Sequence, residues 1–172
     1  AARVGQELAD QPVIRARMLA TMGRAFVSLG LYEKGRELYR QSLALREDAL
    51  GPEHPEVAES LLGLARAELE LGRASDAEGL ARRGYDLRRA TLGENDPAVG
   101  QALEELAATL GAQGKLDEAA ATFERALGIL EKALGTEHAD LGAAVSNFGQ
   151  LRWRAGQLPE AEALLRRALA IR

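Results

Sequence analysis

Hydrophobic positions along this chain recur on two length scales. On the short scale, Val57, Leu61, Leu64 and Ala65 follow the i, i+4, i+7, i+8 spacing of one helix face, and after Gly72 the pattern restarts with Ala77, Leu80, Ala81, Gly84, Arg88 and Thr91. On the long scale, the turn Leu50-Gly51-Pro52-Glu53-His54-Pro55 returns as Leu92-Gly93-Glu94-Asn95-Asp96-Pro97 and as Leu134-Gly135-Thr136-Glu137-His138-Ala139, each time 42 residues on. Gly30, Gly72, Gly114 and Gly156 keep the same step. Two landmarks in register define an internal repeat. The pattern predicts an all-α chain of four helical hairpins, 12–29 with 32–49, 55–71 with 74–91, 97–113 with 116–133, and 139–155 with 158–171.

The turn chemistry agrees with those boundaries. His54, Asp96 and His138 fall at the N-cap of a first helix, and Pro55 and Pro97 follow at the first helical position, where a missing N–H costs nothing. The glycines at 30, 72, 114 and 156 end the first helices, where positive φ is wanted. The first unit departs from strict phase, with Pro12 where a proline at 13 would match.

Aligned by the period, the first helices carry Leu19, Leu61, Leu103 and Val145, then Met22-Gly23, Leu64-Ala65, Leu106-Ala107 and Phe148-Gly149. The second helices carry Gly35, Ala77, Ala119 and Ala161, then Tyr39, Ala81, Phe123 and Leu165, then Ser42, Gly84, Ala126 and Ala168. Small residues beside large ones let helices approach closely. This small-large-small order resembles the tetratricopeptide repeat over nearly the whole chain, and the Leu-Gly-x-x-His/Asp-Pro connection at a 42-residue period resembles the longer subtype of kinesin light chains and many bacterial proteins. The resemblance implies a right-handed α-solenoid of four helix-turn-helix repeats, at about 9–50, 51–92, 93–134 and 135–172, forming one array over 1–172. A hairpin cannot bury its apolar face alone, so such arrays are stabilised by their interfaces.

Some positions break the pattern. Glu68 and Arg152 stand where Phe26 and Leu110 are apolar, so packing there must differ. Gly63, Gly79 and Gly84 lie inside helices of the second repeat and cost about 1 kcal/mol each unless packing requires them, so this repeat is expected to be the softest. With no polar capping helix after Arg172, the expectation is a fragment of a longer protein, or one that continues by association.

Composition narrows the function. Of the 172 residues 47% are hydrophobic but only 4% aromatic, which calls for a core of Ala, Leu and Val. A net charge of -4, from 22 basic and 26 acidic residues, argues against nucleic acid as a partner. Absence of cysteine removes thiolate chemistry and disulfides, and no apolar run approaches the ~20 residues that span a bilayer, so no membrane role and a cytoplasmic location are expected.

Candidate chemistry is sparse. Gly111-Ala112-Gln113-Gly114-Lys115-Leu116 has the wrong spacing for a phosphate loop and reads as an interhelical turn. His54 and His138 recur at equivalent turn positions and read as caps rather than as an acid–base or metal pair. The carboxylate pairs Glu104-Glu105 and Asp117-Glu118 have no companion nucleophile, and the arginine pairs Arg82-Arg83, Arg88-Arg89 and Arg166-Arg167 read as solvated ion-pairing faces. No enzyme and no cofactor or metal are expected.

What remains is a binding surface. The resemblance implies that first helices line a concave groove for a peptide or partner helix. By phase this surface comprises Arg17, Ala20, Thr21, Arg24, Val27 and Ser28, then Glu59, Leu62, Gly63, Arg66, Leu69 and Glu70, then Gln101, Glu104, Glu105, Ala108, Gly111 and Ala112, then Ser146, Asn147, Gln150, Trp153 and Arg154. Trp153 is the foremost anchor, or else a packing residue for a further unit. Asn147 matches the groove asparagine of kinesin-light-chain-like repeats, whereas Ala20, Arg24, Gly63, Gln101 and Glu105 depart from the clamp that holds C-terminal carboxylates in chaperone-binding members. The segment from Ala1 through Pro12 into Leu19-Ala20-Thr21-Met22-Gly23 also resembles the start of the repeat region of some bacterial serine/threonine kinases, implying a regulatory or docking role. The expected function is a protein-interaction scaffold, with self-association through the end faces as the alternative.

Overall fold

The computed structural model describes residues 11–171, and among these residues the regular secondary structure is α-helical throughout. The helices are α1 (Pro12–Ser28), α2 (Tyr32–Leu50), α3 (Pro55–Glu70), α4 (Ala74–Leu92), α5 (Pro97–Ala112), α6 (Leu116–Leu134), α7 (Ala139–Arg154) and α8 (Leu158–Ala170). Every boundary lies within one residue of its expected place. The part of the kinase-like segment before Gln11 lies outside the described residues.

The caps explain that agreement. The Nδ1 of His54 accepts from the Glu56 amide at 3.2 Å, Asp96 Oδ1 from the Ala98 amide at 2.8 Å, and His138 Nδ1 from the Asp140 amide at 3.1 Å. A histidine that accepts through Nδ1 keeps its proton on Nε2. Helix α1 is the exception. It begins at Pro12 after Gln11 with no side-chain cap bond, and has 17 residues against 16 in α3, α5 and α7. At the other end of α1, Gly30 takes φ +74°, and this lets its own amide reach Val27 O at 3.0 Å and the Leu31 amide reach Phe26 O at 2.9 Å. Those bonds satisfy carbonyls that the helix leaves open.

Packing groups the helices into two compact units, Ala1–Leu87 and Arg88–Arg172, with the division inside α4. In the first unit α1 packs on α2, α2 on α3, and α1 touches α3. Val57, Ala58, Leu61 and Leu87 form one buried cluster, and Ala20, Tyr39 and Leu64 another, with Leu43 and Leu80 packed against both. In the second unit α5 packs on α6, α6 on α7, α7 on α8, and α5 touches α7. Its core holds Leu103, Leu110, Leu130, Leu141 and Val145, with Phe123 and Phe148 stacked at 5.4 Å between ring centroids.

The glycines of the second repeat sort by what surrounds them. A Cβ on Gly63 would lie 2.1 Å from Cε1 of buried Tyr39, and one on Gly84 would lie 2.8 Å from Cγ of Leu62. Both are required by close helix contacts. Gly79 has open space, so the expected softness of this repeat rests on Gly79 alone.

The two charged intruders are also accommodated. Glu68 accepts from Arg73 at 3.1 Å and faces Arg36 at 3.7 Å, and its hydrogen bond raises the pKa of Arg73. The Arg152 guanidinium lies 4.8 Å from the Phe148 ring centroid and donates to Gln157 and Glu124.

Candidate protein-interaction surfaces

In the first unit the expected binding face belongs to α1 and α3, and its cations are turned toward neighbouring acids. Arg17 donates through both Nε and Nη2 to the Glu56 carboxylate, with Nε to Oε2 at 2.9 Å. The hydrogen bond from Arg17 holds Glu56 below its ordinary carboxylate pKa, opposed in part by burial, and reciprocally raises Arg17. Arg24 stands 3.7 Å from Glu59 and is largely exposed, and Arg66 donates to Glu70 one turn on at 3.1 Å. Leu69 is half-buried.

In the second unit the face belongs to α5 and α7. Gln101 Nε2 donates to Asp140 Oδ2 at 3.1 Å, joining the same two repeat positions as Arg17 and Glu56. Asn147 Nδ2 donates to Glu104 Oε1 at 2.6 Å, so this asparagine already holds an acidic partner. Gln150, Trp153 and Arg154 are exposed on the last two turns of α7, with Trp153 at 63%. The structure therefore brings together Gln101 with Asp140 and Asn147 with Glu104, and leaves Trp153 projecting from its helix.

Sequence reasoning missed a polar network at the first unit's helix seam. Arg46 on α2 is 1% exposed and donates Nη1 to Ser60 Oγ at 2.8 Å and Nη2 to Glu59 Oε2 at 2.6 Å. Ser42 Oγ donates to Ala16 O at 2.8 Å and lies 2.8 Å from Ser60 Oγ. Since Ser42 has one proton and spends it on Ala16, Ser60 donates to Ser42. The chain of donors runs Arg46, Ser60, Ser42, Ala16 O. Arg46 Nε faces Glu56 Oε2 at 3.7 Å, beyond hydrogen-bond reach. The alignment carried little signal, because this repeat position holds Arg46, Arg88, Leu130 and Arg172, and Leu130 alone points to burial.

The arginine pairs on the second helices are committed locally. Arg82 bonds Glu78, Arg83 bonds Glu47 and the Pro52 carbonyl, Arg88 bonds the Ala98 carbonyl, and Arg167 bonds Glu131. No group of three or more His, Cys, Asp or Glu side chains able to hold a metal occurs among the described residues. No helix among them is long and apolar enough to cross a membrane.

Comparison with known proteins agrees with the architecture. A family profile described as "Tetratricopeptide repeat" matches residues 14–90 and 98–172. Among solved structures 79 chains match. One is a kinesin light chain protein of nearly identical TPR-like repeats from Podosopora anserina, at 29% identity and TM-score 0.77, covering 93% of this chain and 75% of that one; a form of it with one glutamine replaced by methionine aligns equally well. Another is BtubC (BKLC) from P. vanneervenii, at 24% identity and TM-score 0.77, covering 93% of this chain and 64% of that one, a likeness of fold. The comparison with curated proteins found no match.

Proposed function

This chain belongs to the tetratricopeptide repeat family, and from that premise we propose that it is a non-catalytic scaffold that holds a peptide or partner helix on its first-helix faces. Trp153 carries the reading. It is the only tryptophan of the chain, it is 63% exposed, and exposed Gln150 and Arg154 flank it on α7. A large exposed aromatic beside an arginine and an amide is the composition of an interaction hot spot. It supplies an apolar anchor, while Asn147, already bonded to Glu104, can exchange that acceptor for a ligand carbonyl. A ligand on α1 and α3 would meet a surface whose charges are mutually satisfied at Arg17 and Arg66, so Arg24 is the cation best placed there to meet an acidic side chain.

The test is affinity capture with wild type, Trp153→Ala and Arg24→Glu, followed by titration of the captured segment as a synthetic peptide. Because Trp153 is the sole indole, its fluorescence reports contact with ligand directly. A blue shift on titration, with loss of binding in Trp153→Ala, is expected. Binding that is unchanged in both folded variants would remove the site from these faces.

A further inference from the structure

We propose that the α1/α3 face of the first unit is an exchangeable anion site, in which Arg17 and Arg24 pass from Glu56 and Glu59 to the carboxylates of an acidic partner while buried Arg46 takes Glu56. The inference rests on the scaffold reading above and names the ligand chemistry of its first unit. On and behind this face Arg17, Arg24, Arg46 and Arg66 stand against Glu56, Glu59 and Glu70, a surplus of one cation in a chain whose net charge is -4. Helix α1 contributes arginines and no acid. A face opposite in sign to the rest of the molecule draws the opposite charge to itself.

The order of the charges decides which pairs can open. Exposed Arg17 grips Glu56 through Nε and Nη2, and exposed Arg24 stands 3.7 Å from Glu59. Behind both carboxylates lies Arg46, bonded to Glu59 through Nη2 at 2.6 Å and to Ser60 through Nη1 at 2.8 Å. Its Nε is buried without a hydrogen-bond acceptor, 3.7 Å from Glu56 Oε2. An orphaned donor at that depth is costly, and a shift of the Glu56 carboxylate by about 1 Å completes the bond. Two bonds to Arg17 now hold Glu56 short of it. When Arg17 turns to a ligand, Glu56 is free to satisfy Arg46, and Glu59 keeps Nη2 when Arg24 leaves. Neither carboxylate is stranded by the exchange.

The second unit lacks these parts. At the positions of Arg17, Arg24, Arg46, Glu56 and Glu59 it has Gln101, Ala108, Leu130, Asp140 and Ala143. Gln101 bonds Asp140 there, with a leucine where the first unit keeps its buried cation. Spacing refines the ligand. Arg17 and Arg24 are seven residues apart on one helix, about 10 Å along its axis. Three residues of extended chain span about the same distance, so an extended segment with carboxylates three residues apart meets both arginines.

The experiment first removes Arg17 and then adds ligand. In Arg17→Ala, a change at an exposed position, the Glu56 carboxyl is titrated by carbon-13 NMR and the Arg46 Nε resonance is followed. With Arg46 and His54 the cations left beside it and burial opposing them, Glu56 is expected to titrate still below its ordinary value of 4.5, and Arg46 Nε to shift as its bond forms. A Glu56 at or above 4.5, or an unmoved Arg46 Nε, overturns the exchange. Blocked hexaglutamate is then titrated into wild type, with hexaglutamine as the control. Only hexaglutamate is expected to shift Nε of Arg17, Arg24 and Arg46, with affinity about threefold weaker in Arg17→Ala and in Arg24→Ala. Hexaglutamate that moves none of the three overturns the acidic ligand. A captured partner lost from Trp153→Ala yet indifferent to Arg17→Ala leaves the scaffold reading standing and overturns this site.

Discussion

The two units answer the same geometric problem with opposite chemistry. At one inter-hairpin seam position the first unit places Arg46, and 84 residues on the second places Leu130, both essentially without solvent exposure. Around Arg46 stand Ser42, Ser60 and Glu59, where the second unit has Ala126, Ala144 and Ala143. Around Leu130 the fit is steric instead, since a Cβ on Gly100 would lie 2.8 Å from its Cγ. The difference shows that the repeat prescribes volume and direction at this seam, and leaves polarity open provided that every donor finds an acceptor.

Exchanging the two solutions one residue at a time should therefore fail, and exchanging them as sets should succeed. Leu130→Arg is the most damaging change, because the guanidinium would meet alanines where Arg46 meets Glu59 and Ser60. A loss of about 4 kcal/mol, read from urea unfolding, is expected. Adding Ala143→Glu and Ala144→Ser should recover part of it, and no recovery would mean that the acceptors are not what stabilises Arg46.

The converse exchange is gentler. Arg46→Ala leaves a void and strips Glu59 and Ser60 of their donor, at a cost of about 3 kcal/mol, at the low end of the range for buried pairs because Glu59 keeps access to water. The triple change Arg46→Leu, Ser42→Ala and Ser60→Ala, made in an Ala16→Gly background so that the new leucine meets the space Gly100 leaves for Leu130, approximates the second unit's seam and should be within about 1 kcal/mol of that background. A triple variant no better than Arg46→Ala would show that the first unit needs the network for more than filling space.

Acid should separate the units next. Arg17 holds Glu56 below its ordinary value of 4.5, so Glu56 favours the folded state above that pH and loses this contribution as the pH falls through its lowered folded value. The unfolded chain then binds the proton more readily than the folded one. Amide exchange in α3 should accelerate on acidification below about pH 4.5, and Glu56→Gln should flatten that acid limb while lowering stability slightly at neutral pH. An unchanged acid limb in Glu56→Gln would place the sensitivity elsewhere.

Most of the fold was legible because its signals are local and repeated. The His54, Asp96 and His138 caps and the positive-φ glycines mark boundaries that depend on residues within a turn or two. The proposed binding face was legible only as a set of positions. That Arg17 is held by Glu56 and Asn147 by Glu104 depends on residues 39 and 43 places apart in the chain, which phase brings near but whose side-chain choices phase does not reveal. Arg46 was passed over because an arginine late in a helix is ordinarily solvated, and its repeat position holds Arg88 and Arg172 as well as Leu130, so phase does not reveal its burial.

The smallest expected effect concerns the glycines, and it tests whether the second repeat is intrinsically soft. Gly63 and Gly84 are held by Tyr39 and Leu62, so an added methyl there must displace a buried side chain, whereas Gly79 on α4 and Gly128 on α6 have open space around the missing Cβ. Alanine at either open site removes only the helix penalty of glycine and should add about 0.5–1 kcal/mol, while Gly63→Ala should destabilise by about 1–3 kcal/mol. If Gly79→Ala slows amide exchange across α4 by the factor its stability gain predicts, the softness of that repeat is a matter of backbone entropy. If exchange there is unmoved, the soft step is the parting of α3 from α4, and the glycines that matter are the two that cannot be replaced.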